Sequence, residues 1–289
     1  MLYQPEFLCD GFIFPETPRW HRGKFYCCSI DEGSIFRIHA DGSKECVIKI
    51  DDWVSGWVFT DPDADNIILT SGKEKKLLHW DGKQLTEIAD FSNIVSFALN
   101  DMIRTKSGVS FVASVDFKFG EIDPSDAPNS PLLRADSEGN VSIASAETVF
   151  ANGMAIPPDG KRLIVADSMT SQLRQWDLDE DGTLSNHRIF ATIPGSVPDG
   201  ISLDAEGGVW VASDRTHRVY RVLEGGEITD EIDMGTTQAT ACMLGGTDGR
   251  TLLITASDSH DRRVIYDNPT GRLFTVRVAV PGAGLPSWY

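Results

Sequence analysis

The 289-residue sequence predicts an all-β chain: a six-bladed β-propeller with a central channel, formed as a single domain over 1–289. Two observations carry this expectation. Short apolar runs closing on Ser recur as FYCCS, IILTS, SFVAS, LIVADS, VWVAS and LLITAS, starting at Phe25, Ile67, Ser110, Leu163, Val209 and Leu252. Their starts lie 42, 43, 53, 46 and 43 residues apart, the spacing of four-stranded blades. The second observation is punctuation: 26 Gly and 14 Pro divide short runs, and no long stretch shows a 3.6-residue apolar period. A lone four-stranded sheet leaves apolar faces open, so copies must pack on one another. Packing them radially leaves only short, protected edges.

Taken in order, residues 6–14 read as a strand preceding the first full repeat. It is free to pair with the apolar run 272–280 and close the ring. The first repeat opens at Pro15-Glu16-Thr17-Pro18-Arg19-Trp20 and turns at Asp41-Gly42; the second, 51–90, turns at Asp81-Gly82. The third enters at Asn100-Asp101 and holds the longest irregular segment, 119–131, with three prolines. A loop of that length is expected to form a lid or rim. The fourth opens at Asn152-Gly153 and turns at Asp159-Gly160 and Asp181-Gly182. The fifth comprises a hairpin, VPDGISLDAEGGVWVAS (197–213), and the chain beyond it to about 232; the sixth turns at Asp248-Gly249.

Composition narrows the function classes. With 43 acidic and 26 basic residues, the formal charge is −17, which disfavours nucleic acid or an anionic membrane as partner. Five cysteines without framework spacing suit a reduced protein, and Cys27 and Cys28, adjacent in a strand, should face opposite sides. The first residues lack a secretion profile and no apolar run reaches membrane-spanning length, so a cytoplasmic protein is expected. There is no G-x-S-x-G elbow, no P-loop and no G-x-G-x-x-G after a strand, and the six histidines lack metal-ligand spacing.

What remains is a set of polar residues in one phase. Nine to twelve positions before each second strand stand Glu16, Ser55-Gly56, Asn100, Asn152, Asp199 and Thr240-Ala241. Equivalent positions in a radial repeat lie on one ring, so these side chains should converge at one mouth of the channel. Two carboxylates and two carboxamides form an all-oxygen set suited to a hard divalent cation: Ca²⁺ first, Mg²⁺ or Mn²⁺ next, with Zn²⁺ permitted. A rival loop, Asp177-Leu178-Asp179-Glu180-Asp181-Gly182, opens like an EF-hand but has Arg188 where the bidentate Glu belongs. It reads as an acidic hairpin.

Several stretches resemble the SMP-30/gluconolactonase/luciferin-regenerating family. They are Pro15-Glu16-Thr17-Pro18-Arg19-Trp20, Asn100-Asp101, ANGMAIPPDGKRLIVADS (151–168), 197–213, and the Phe274 region with Pro281-Gly282; the likeness is strongest over 150–221. The resemblance implies a six-bladed propeller hydrolysing a lactone, with a divalent metal held by Glu16, Asn152 and Asp199 and with Asn100 beside the substrate. Sugar-lactone members carry an Arg two residues before that Asn; Ala98 stands there, beside Phe97 and Leu99, which implies a more apolar wall.

The expected reaction is hydrolysis of a lactone or small ester. The cation polarises the carbonyl and Asp199 serves as ligand and general base, because Ca²⁺ is too weak a Lewis acid to ionise water alone near neutrality. Asn100, and less directly Asp101, would bind the substrate. An arylesterase using the same site is one alternative. The other is a non-catalytic, metal-stabilised propeller binding a ligand or protein at its rim.

Overall fold

A computed structural model describes residues 2–117, 126 and 128–284. Among them are six antiparallel sheets, five of four strands and one to which a short fifth strand is added, arranged as a six-bladed β-propeller. Blade 1 runs outward from the inner strand Pro15–His21 through Lys24–Ser29 and Ser34–Ile38 to Lys44–Lys49. The inner strands of blades 2 to 6 are Trp57–Phe59, Ala98–Arg104, Ala151–Ala155, Pro198–Leu203 and Gln238–Gly245. The apolar runs that set the repeat are the second strands: Ile67–Ser71 and Val209–Ser213 fall on them residue for residue.

Burial explains why those runs are continuous rather than alternating. A second strand is covered by neighbouring blades on both faces, so all of Ile67–Ser71 and Val209–Ser213 is buried, whereas the outer strand Val141–Ser145 has no buried residue. The apolar clusters sit between blades. One joins Phe111 and Leu163, another Ile164 and Val211, another Trp210 and Ile254. Cys28 packs in the cluster shared with Trp57 and Leu69, and Cys27 in the one shared with Leu253 and Leu273. The adjacent thiols therefore face opposite neighbours, as their strand position requires.

The ring closes with the N-terminal strand. Glu6–Phe12 pairs antiparallel with Gly271–Arg277, with Glu6 opposite Thr275, and becomes the outer strand of the last blade. Leu2–Tyr3 then runs parallel beside the outer strand Ile228–Asp233 of blade 5. The N-terminal segment thus ties the fifth and sixth blades to the first.

One helix was not expected from the sequence: Arg262–Asp267, where Asp261 caps the first turn by accepting a hydrogen bond from the Arg263 N–H. It is too short to show a helical period. Of the expected lid, residues 119–125 and 127 lie outside the described residues. No helix among the described residues is long and apolar enough to cross a membrane.

The Asp-Gly and Asn-Gly pairs divide into two kinds. Gly42, Gly82, Gly160, Gly182 and Gly249 have φ between 69° and 91° and make the hairpin turns. Gly153 and Gly200 do not adopt positive φ. A Cβ on Gly200 would meet the Ala241 Cβ at 2.2 Å, and one on Gly153 would meet the Ile201 N at 2.6 Å. These glycines let neighbouring inner strands approach across the channel wall.

Candidate active site

The polar ring comes from a repeated defect in the inner strands. Pairing between inner and second strands slips by one residue between Glu16 and Arg19, Leu99 and Met102, Ala151 and Met154, Pro198 and Ile201, and Ala239 and Ala241. A bulge inserts an unpaired residue and re-aims its side chain. The sequence places the ring residues just before the inner strand. The structure puts Glu16, Asn100, Asn152 and Asp199 inside it, because the bulge interrupts the alternation that would mark the strand's start.

Register also locates the sixth position. Asp199 follows Pro198, which faces Ser213; Asn152 follows Ala151, which faces Asp167. In the last blade Ala239 faces Ala256, and the slip falls on Thr240-Ala241, the pair that the sequence places in the ring. Thr240 follows Ala239 as Asp199 follows Pro198, and its hydroxyl donates to the Pro15 carbonyl at 2.8 Å.

Glu16, Asn100, Asn152 and Asp199 line one cavity of about 310 Å³, together with Phe14, Phe150, Ser168, Asp214, Arg215, His260 and Arg262 among others. Glu16, Asn152 and Asp199 are buried. A Glu16 carboxylate oxygen accepts from the Thr17 N–H at 2.7 Å, on a residue held at φ 46° by the bulge. The Asn152 Nδ2 donates to the Ser168 Oγ at 3.3 Å, and Ser168 donates onward to the Pro198 carbonyl at 2.7 Å. That chain fixes the amide of one blade to the strand carrying Asp199 in the next.

The carboxylates are electrostatically strained. Burial, opposed by the Thr17 N–H and reinforced by Asp101, pushes Glu16 up to about 8. Burial, and then the charges of Glu16, Asp214 and Asp101, push Asp199 well above the usual carboxylate range, with a hydrogen bond from Asn152 opposing them. Such a pair, with amide oxygens beside it, fits a hard cation: one positive ion would relieve both burial and mutual repulsion. Among the described residues no three His, Cys, Asp or Glu side chains cluster, so any such ion would have to draw on the amides as well.

Asp101, expected beside the substrate, is not on the cavity wall. It sits one residue past Asn100, where its carboxylate lies 3.5 Å from the Arg19 Nη2 and accepts from the Met102 N–H at 2.7 Å. Ala98 is buried in a small cluster with Val115, Phe117 and Phe150, against which Trp53, Phe97 and Met169 pack. The rival hairpin is no cation loop: Arg188 donates to Asp177 at 2.8 Å, closing the strand pair with its own ion pair.

Four charged residues of the wall escape the repeat. Asp214 and Arg215 follow the second strand of blade 5, and His260 and Arg262 belong to the segment entering the short helix. His260 Nε2 stands 3.2 Å from an Asp214 oxygen and its ring packs edge-on against Phe14. The Arg262 Nε donates to Asp31 at 2.8 Å, and its guanidinium lies 4.5 Å over the Trp53 ring. Being rim residues without a repeat phase, they carried no signal in the sequence.

A six-bladed propeller with a polar, acid-bearing cavity at one mouth of its channel defines the class. The chain belongs to the family described as SMP-30/Gluconolactonase/LRE-like region, whose model matches residues 14–258. A 6-deoxy-6-sulfogluconolactonase of Pseudomonas putida is 34% identical over 168 residues, a match spanning 56% of this chain and 58% of that protein. A pentonolactonase of Haloferax volcanii is 23% identical over 92% of this chain and 91% of its own length. Among solved structures, one described as a calcium-binding protein, regucalcin, from Agrobacterium tumefaciens, superimposes with a TM-score of 0.81 at 20% identity, covering 98% and 97% of the two chains. At that identity the likeness speaks for the fold.

Proposed function

We propose that this protein is a divalent-cation-dependent hydrolase of lactones, acting at the cavity that holds Glu16, Asn100, Asn152 and Asp199. The observation that carries the reading is the pairing of two buried, mutually repelling carboxylates with amide side chains on one cavity wall. The relatives named as lactonases support the reaction type, and the regucalcin described as calcium-binding supports Ca²⁺, with Zn²⁺, Mn²⁺ or Mg²⁺ as substitutes. Glu16, Asn152 and Asp199 would hold the cation. When bound, it would polarise the ester carbonyl and stabilise the oxyanion.

The chain's own residues do the rest. The Asp199 carboxylate accepts a proton from the attacking water as its oxygen bonds to the carbonyl carbon, and returns that proton to the ring oxygen as the ester bond breaks. The product is the open-chain hydroxy acid. The Asn100 amide, on the same wall, donates a hydrogen bond to the substrate and orients it. Phe14, Ile30, Phe150 and Ile265 line the same cavity and limit water around the reacting ester. Asp101 acts at one remove, by holding the strand after Asn100 through its bond from Met102. All five cysteines are free thiols, in keeping with a cytoplasmic setting.

The test is a panel of five- and six-membered lactones and aryl esters, assayed with chelator-treated protein and after reloading with Ca²⁺. Turnover restored by the ion supports the reading. Failure of every ester in the loaded protein would favour a non-catalytic, ligand-binding propeller.

A further inference from the structure

We infer that His260, held by Asp214, is the proton donor that releases the leaving alcohol as the ester opens, so that acid and base stand on different blades. The inference rests on the lactone-hydrolase reading of the same cavity and deepens it. The second of the two proton transfers, otherwise borne by Asp199, gains a donor of its own.

Placement singles out this ring. Of the six histidines, His260 alone lines the cavity. On one side its Nε2 stands 3.2 Å from the Asp214 Oδ1, a buried oxygen that no other group among the described residues serves. Asp214 follows Ser213, which faces Pro198 across the strand pair, so it stands beside Asp199. After Glu16, it is the charge that most raises the Asp199 carboxyl. On the other side the His260 ring lies 4.9 Å, centroid to centroid, from Phe14, two residues before Glu16. The imidazole thus reaches from the fifth blade to the first, over the sixth. There the ring position is Thr240, whose hydroxyl is turned to the Pro15 carbonyl. The proton-exchanging group that blade 6 lends to the wall is His260.

The chemistry needs such a donor. Opening a lactone expels an alkoxide, a poor leaving group unless it is protonated as its bond breaks. Asp199 takes a proton from water as the water oxygen bonds to the carbonyl carbon. When the bond from that carbon to the ring oxygen breaks, its electron pair goes to the ring oxygen, which takes the proton of the His260 imidazolium. The product is the hydroxy acid; Asp199 returns its proton to water, and the neutral imidazole takes one back. With Nε2 turned to Asp214, Nδ1 is the nitrogen left for the substrate, and it makes no hydrogen bond among the described residues. The side chain is 41% exposed, so solvent can replace its proton between turnovers. Asp214 is a positioning residue: it fixes the imidazole through one nitrogen and leaves the other to act.

The experiment compares wild type, His260→Gln and Asp214→Asn, all loaded with Ca²⁺, on the fastest lactone of the panel and on phenyl acetates of graded leaving-group acidity. A nitrophenolate departs without a proton, whereas an alkoxide needs one. His260→Gln is expected to lower kcat/KM for the lactone by about 10²–10³-fold, and for 4-nitrophenyl acetate by less than about tenfold. The plot of log kcat/KM against leaving-group pKa should therefore steepen in that variant, and steepen by a smaller amount in Asp214→Asn. A readout without turnover is the NMR signal of the His260 ring, assigned by its absence from His260→Gln, which should shift when the ring-opened acid binds. An equal loss for every ester, an unchanged slope in His260→Gln, or a His260 signal unmoved by saturating product would overturn the inference, while wild-type turnover upholds the hydrolase reading. A wild type that opens no lactone and no phenyl ester would sink both.

Discussion

Two sets of buried charge occupy the channel wall within a residue of the same ring, and they are treated oppositely. Glu16 and Asp199 face a cavity, repel each other, and receive neutral donors, from Thr17, Thr240 and Asn152. Asp101, one residue beyond ring member Asn100, is met by Arg19, whose Nη2 also donates to the Met102 carbonyl at 3.0 Å. Burial raises both sets, but Arg19 and the Met102 N–H hold Asp101 to about 6, while Glu16 reaches about 8. Arg19 lines a separate cavity of about 350 Å³ with Trp20, Met243 and others, toward the far ends of the inner strands. One carboxylate, Asp101, has a cationic partner from within the chain. The other two line the cavity, where the cation is proposed. A buried carboxylate with no internal counter-ion is the better guide to a site than a buried carboxylate as such.

That contrast can be broken at several points. Asp199→Asn removes the proposed base while keeping the shape, and kcat/KM for a lactone should fall by about 10²–10⁴-fold; steady-state assay of the loaded variant checks this. At the other set, Arg19→Met would strand Asp101, at a cost of about 3–5 kcal/mol in a denaturant melt. Asp101→Asn in that background should return much of the loss. Glu16→Gln should leave the fold intact but shrink the stabilisation by Ca²⁺, which for a wild type at a hundred times Kd is about 2.7 kcal/mol.

The smallest effect is a pH dependence in chelator-treated protein. A Glu16 pKa raised from 4.5 to about 8 means the folded state binds that proton more tightly than the unfolded chain. Its contribution is whole below about pH 4.5 and is lost as pH rises through about 8. Melting temperature in the absence of divalent ions should therefore decline across that window, and Glu16→Gln should flatten the decline.

Much of this was readable from the chain alone, and the reasons are physical. Second strands are buried on both faces, so Ile67–Ser71 and Val209–Ser213 stood out as apolar runs and fixed the repeat. Ring residues shared a phase, which brought Glu16, Asn152 and Asp199 to one cavity although they stand far apart along the chain. A bulge has no such signature. It turned Asp101 away from the cavity toward Arg19. The rim cations Arg215 and Arg262 come from a loop and a short helix outside the repeat, where only folding shows that they line one cavity.

The most direct test is a crystal structure of the protein grown with Ca²⁺, with the ion located by its anomalous scattering. One site bounded by the carboxylates of Glu16 and Asp199 and the amide oxygen of Asn152 is the expected result. Calcium found only at surface acids such as the 177–182 hairpin, with Glu16 and Asp199 bonded to protein groups alone, would contradict it.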